Sequence, residues 1–185
     1  MRRGPSRRAR QRGITLVIAL LMLMIIGLAS VGVMHNVRQG EQVAQAGRLR
    51  AQAAVAAQAA LDFCVAQLSQ PTPVMAVLPA SQPEAWTDAS RWREGGPPGV
   101  YRLRAGTDLA AGTVPGPQPQ CLAEQDPLDG LYRVTARGFS ADFIADAQGH
   151  GRAGAQVWLQ AEVLAPGPER AVLRRTWLQL LVPPL

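Results

Sequence analysis

A chain of 185 residues that is 48% hydrophobic and 17% charged has room for one modest domain with an extension, and it is too apolar to be a fully disordered polymer. With 5% aromatic residues, 18 Gly and 15 Pro, a large and densely packed enzyme core is not expected. The net charge of +6 sits in Arg2, Arg3, Arg7, Arg8, Arg10 and Arg12, beyond which 13 basic residues face 13 acidic ones, so no nucleic-acid partner is expected.

The first element follows that basic prefix. From Ile14 to Val37 there are 24 residues without a formal charge. A helix of about 20 apolar residues spans the hydrocarbon of a bilayer. Positive charge precedes the run and little follows it, which predicts a cytoplasmic N-terminus and a remainder that crosses. Two other readings stand beside this one. One is a buried core helix, for which an arginine prefix and a run of this length are poor features. The other is a secretory signal peptide, whose apolar region is about 7–15 residues long and ends at a small-residue cleavage site. Ala29, Ser30 and Gly32 make only a weak site of that kind.

The junction Gln11-Arg12-Gly13-Ile14-Thr15-Leu16-Val17 is more specific. A short basic leader ends in Gly, and the apolar stretch starts at once. This resembles the type III signal sequence of the type IV pilin superfamily. The resemblance implies that a prepilin peptidase cuts between Gly13 and Ile14 on the cytoplasmic side and N-methylates Ile14. Thr15 and Leu16 match the usual second and third mature positions. Residues 1–13 are then a leader, and residues 14–37 are the transmembrane half of a long helix that the mature protein keeps. The fifth mature position, usually Glu in pilins, is Ile18. A carboxylate inside a bilayer is costly unless it has a partner. In pilins that partner is the N-terminal amine of a neighbouring subunit. A subunit without this Glu can do without that neighbour, as one at the fibre tip would. Its loss is a feature of PilX-like minor pilins and of the K-type pseudopilins of type II secretion. The other reading of Ile18 is that it suits the membrane and says nothing about position.

Helical character continues over residues 38–68. Val43, Leu49, Ala53, Ala57, Leu61, Cys64 and Leu68 recur mostly at spacings of three or four, with Arg48, Arg50, Gln52, Gln58 and Asp62 between them. Ala51 to Ala60 is rich in the strongest helix former. Gly40 and Gly47 weaken the helix and suggest bends, and Pro71 and Pro73 end it. A helix from Ile14 to Leu68 would run about 80 Å at ~1.5 Å per residue. A small soluble domain cannot bury that length. The first half belongs in lipid or among like helices, and the second half lays one face on a globular head. The pilin lollipop has this architecture. Gly27, Ala29, Ser30 and Gly32 permit close helix approach or are ordinary transmembrane composition.

Residues 69–185 form the expected head. Leu131 to Arg137 alternates, with Tyr132, Val134 and Ala136 on one face and Arg133, Thr135 and Arg137 on the other. Ala155, Val157, Leu159, Ala161 and Val163 alternate against Gln156, Gln160 and Glu162. A third strand is expected within Ala171 to Val182, where Arg174 and Arg175 blur the pattern, and a weaker fourth at Val100 to Arg104. Short connections predict an antiparallel sheet. The fold class is α+β, a long N-terminal helix packed on a small antiparallel sheet. The runs from Tyr132 to Gly138 and from Val157 to Gln160 also resemble the C-terminal region of PilX-type minor pilins. Residues 70–130 match no known pattern. Cys64 falls near the end of the long helix and Cys121 in an irregular segment before the strands. In an oxidising compartment the two can pair; two unpaired thiols are the alternative.

No catalytic, cofactor-binding or metal-binding residue is expected. His35 and His150 lack the spacing of a zinc site, and Asp142 and Asp146 read with His150 as a solvated loop. No phosphate-binding loop or nucleophile elbow occurs. Trp86, Trp92, Trp158 and Trp177 read as core or sheet-face residues. The resemblance therefore implies a non-enzymatic minor pilin. It would sit in the inner membrane with its head in the periplasm, then join a pilus at the cell surface. Its implied partners are the prepilin peptidase, other minor pilins and a tip adhesin. The alternatives are a K-type pseudopilin, although such heads are usually larger, and a signal-anchored periplasmic binding protein or enzyme.

Overall fold

A computed structural model describes residues 12–110, 116–128, 130–146, 149–165 and 174–180. The expected leader, up to residue 11, lies outside the described residues. The chain is α+β, with one long helix followed by strands. Helix α1 (Arg12–Leu68) comes first, then β1 (Val77–Leu78), two 3₁₀ turns (Ala85–Thr87 and Ala89–Trp92) and β2 (Tyr101–Arg102). The strands β3 (Gln120–Gln125), β4 (Leu131–Phe139), β5 (Ile144–Ala145), β6 (Gly151–Ala153), β7 (Gln156–Leu164) and β8 (Arg174–Gln179) follow. Gly40 and Gly47 both lie inside the helix, whose turns continue through them. The helix stops at Leu68, ahead of Pro71 and Pro73 as expected.

The chain forms two compact units, one ending at Gln45 and one from Ala46 to Leu185. In the first unit every side chain from Ile14 to Gly27 is exposed, with Leu23 at 68% and Ile18 at 48%. Side chains of residues 28–39 lie outside the description. Among the described residues one helical stretch is long and apolar enough to cross a membrane, Gly40–Leu68, and its buried residues all fall between Ala53 and Leu68. That burial explains its composition, because its apolar face belongs to the core of the second unit. Ile14–Gly27 is a shorter apolar helical stretch without such a covering.

In the second unit Ala53, Ala57, Ala60, Leu61, Cys64, Val65 and Leu68 of α1 share one core with Tyr132, Val134 and Ala136 of β4 and Val157, Leu159, Ala161 and Val163 of β7. These are the inward residues that both alternations predict. Leu61 and Leu68 are fully buried and each contributes about 2 kcal/mol by area. The alanines contribute little area. They act through geometry, by letting the helix approach β4 so closely that only Gly138 fits beneath it. The buried stripe begins at Ala53. Val43 is 73% exposed and is not part of it.

The large sheet runs β1-β3-β4-β7-β8, and β2 also pairs with β3. It is mixed and not purely antiparallel. β1 lies parallel to β3 through Val77–Ala123 and Leu78–Glu124, while β2 pairs antiparallel through Tyr101–Cys121 and Arg102–Gln120. The two short strands share the outer edge of β3. Residues 79–100 turn the chain around between them, which reverses its direction. Cys121 therefore lies in β3, not in an irregular segment. β8 pairs antiparallel with β7, and its Arg175 forms an ion pair with Asp62 of α1. That pairing accounts for a charge that disturbs the strand's alternation.

The second face of the sheet is covered as well. Trp92 and Ala85 from the 3₁₀ turns pack on Leu122 and Trp158. Trp92 and Trp158 meet edge to face with centroids 4.6 Å apart. Thr135 and Arg137, on the face opposite Val134 and Ala136, are 0% and 5% exposed. Alternation separates two faces correctly but does not say what covers the second.

Candidate functional site

The described residues place the predicted junction at the start of α1, with Gly13 in its first turn and Ile14 following. Ile18 lies one turn further on, and its side chain is exposed. Cys64 and Cys121 form a disulfide, with Cα atoms 6.4 Å apart and both residues fully buried. It joins the last turns of α1 to β3. Met75 Sδ lies 2.9 Å from Cys64 Sγ and closes the core beside the bridge. His150 and Asp146 face each other across a turn, with Nδ1 and Oδ2 3.5 Å apart.

The sheet's second face carries a feature that the sequence reading missed. Residues directly opposite on neighbouring strands point to the same side. Arg102 opposes Gln120, Gln120 opposes Arg137, and Arg137 opposes Trp158. A single row therefore crosses β2, β3, β4 and β7 as Arg, Gln, Arg, Trp. Neighbouring strands lie about 4.8 Å apart, so the two arginine Cα atoms are about 10 Å from each other. Arg137 Nε donates to Gln120 Oε1 at 2.9 Å, and Nη2 donates to the Trp92 carbonyl. Its guanidinium carbon lies 5.5 Å from the Trp92 ring, 5.3 Å from Trp158 and 5.1 Å from Phe139. Ring faces attract a cation and offset part of its lost hydration. Burial first, and Arg102 second, lower Arg137 to about 9, so it remains charged at neutral pH. Among the described residues it has no carboxylate partner.

An open cleft of about 560 Å³ lies against this row. Trp92, Arg102, Gln120, Arg137, Phe139 and Phe143 line it. The signal that could have found it is Trp158, a large aromatic on a face otherwise made of Gln and Glu.

A second ionic group lies at the other end of β4. Arg133 contacts Glu84, Asp126 at 3.1 Å and Glu124 at 3.8 Å. Glu124 is 3% exposed and accepts the Ala85 N–H at 2.7 Å. Burial raises its pKa above the ordinary 4.5, against the opposing pull of that N–H and of Arg133. Between 4.5 and the raised value the folded chain holds a proton that the unfolded chain has lost. This contribution to stability is full below 4.5 and is lost as pH rises through the folded pKa. Glu124→Gln keeps an acceptor for Ala85 and removes that loss. The variant should lose less stability than the parent between pH 4.5 and 7, as read by denaturant midpoints. Equal losses in both proteins would refute this account.

No family model, curated protein or solved structure matches this chain.

Proposed function

We propose that this chain is a PilX-like minor pilin of a type IV pilus. In this reading the protein inserts in the inner membrane with its head in the periplasm. A prepilin peptidase removes residues 1–13 and methylates Ile14. The apolar half of the long helix then packs among like helices and carries the subunit into a priming complex with other minor pilins, at or near the tip, where an adhesin can join. The chemistry is non-catalytic.

The observation that carries the reading is the Gly13/Ile14 junction opening directly into an exposed apolar helix. A row of Ile, Leu, Val and Met side chains in water has a large hydrophobic cost. Lipid or a bundle of like helices removes it. The α+β head on the second part of the helix and its buried disulfide agree with this reading. Ile18 favours a subunit that needs no neighbour for its amine, and K-type pseudopilins share this property. Gene neighbourhood separates the two, because secretion and pilus genes cluster differently.

Mass spectrometry of the protein from its native membrane tests the proposal. The expected N-terminus is methylated Ile14, and Gly13→Leu should leave the leader attached. An intact residue 1 in the parent protein, or a head found free without the apolar run, would overturn the reading.

A further inference from the structure

We infer that the cleft on the second face of the sheet is a binding site for an organic carboxylate with an aromatic or apolar body. This inference is independent of how the chain is anchored.

Charge comes first. Arg137 is 5% exposed, borders the cleft, and has no carboxylate partner among the described residues. A buried guanidinium is ordinarily paired with an acid. Here its attachments are an amide oxygen and a backbone carbonyl, both neutral. Arg102 in the same row adds a second positive charge, and its Nη2 donates to the Arg93 carbonyl at 2.5 Å. Arg93 also lines the cleft, and its buried Nε has no acceptor among the described residues. Two carboxylates border the same space. Glu94 is exposed, and Asp146 accepts the His150 N–H at 2.9 Å. Asp146 also faces His150 Nδ1 at 3.5 Å, and the charge acting on Arg137 is that of Arg102.

Shape and polarity narrow the ligand. The cleft falls in the size range of small-molecule sites, roughly 300–1,000 Å³. Guanidinium groups match the planar, two-oxygen geometry of a carboxylate. Phe139 and Phe143 sit with ring centroids 4.6 Å apart and form an apolar wall beside the charge. A carboxylate reaching Arg137 and Arg102 would place its own body against that wall. An inorganic anion would satisfy the arginines and leave the wall unused.

The test is a calorimetric titration of the full chain in non-ionic detergent at low salt. Phenylacetate, its neutral amide phenylacetamide, and inorganic phosphate are the probes. Phenylacetate should bind at least tenfold more tightly than either of the others. Arg102→Gln, at the half-buried end of the row, should weaken phenylacetate about tenfold, and Phe143→Ala should weaken it severalfold. Arg137→Gln should abolish binding, and if that variant does not fold the other two still decide. Equal affinity for the acid and its amide would overturn the inference. So would phosphate matching phenylacetate, indifference to Arg102→Gln, or no heat with phenylacetate.

Discussion

Gly138→Ala is expected to destabilise the second unit by about 3 kcal/mol or more, beyond the ordinary cost of an added methyl in a packed core. A Cβ at this position would lie 2.6 Å from the carbonyl carbon of Ala56, and closer still to the Ala57 nitrogen and the Ala53 oxygen. All three atoms are helix backbone. A side chain could rotate away from the intrusion, but a helical turn cannot do so without breaking its own hydrogen bonds. The other route is to lift α1 off β4, which opens the core around Ala53, Ala57 and Val134. Gly138 is also fixed on its strand by its register opposite Val157. The same substitution at Gly47 has the opposite sign. Nothing lies within 4 Å of a Cβ there, so Gly47→Ala should stabilise the helix by about 1 kcal/mol through propensity alone. Denaturant unfolding of the two variants, side by side in detergent, reads the contrast. A Gly138→Ala midpoint equal to that of the parent would mean that α1 does not lie on β4 as described.

This contact also shows what the sequence made legible. The long helix, the two alternating strands and the position of β8 were readable, because period and length are written locally. Val134 and Val157 face the core because their neighbours alternate in polarity. Gly138 reads in sequence as the end of a strand, and nothing local marks it as the point where a helix crosses. β1 has two residues, too few for any period, and so its parallel pairing was invisible, whereas β2 falls inside the weaker strand expected at Val100 to Arg104. The irregular look of residues 116–125 hid β3, since Gln120 to Gln125 is buried except at its end and carries no alternation. Arg137 was placed on the correct face, but its burial was hidden for a different reason. Its strand neighbours give it the polar phase, yet a Trp from a 3₁₀ turn 45 residues earlier covers it. Long-range covering of that kind has no local signature. The Gly13/Ile14 junction is the reverse case, a signal carried by sequence alone with little tertiary structure around it.

Breaking the Cys64–Cys121 bridge is expected to cost up to about 4 kcal/mol, the chain-entropy figure for a closed loop of this length. The two cysteines are 57 positions apart. The loop between them holds both 3₁₀ turns and the two-residue strands β1 and β2, so little regular hydrogen bonding restrains it otherwise. The bridge also fixes α1 to β3 where Met75 and Leu68 complete the core. Cys64→Ala and Cys121→Ala each remove the same bond. The double variant should therefore lose about as much as either single one, and clearly less than their sum. Alanine is the better replacement, because serine would bury a hydroxyl without a partner. If the head is exported as proposed, cells unable to form periplasmic disulfides should accumulate less of the protein, and the double variant should no longer respond to that defect. Peptide mapping without reductant gives the direct check. Two free thiols in the folded protein, or single-variant losses that add in the double, would show that the helix end is held to the sheet by packing alone.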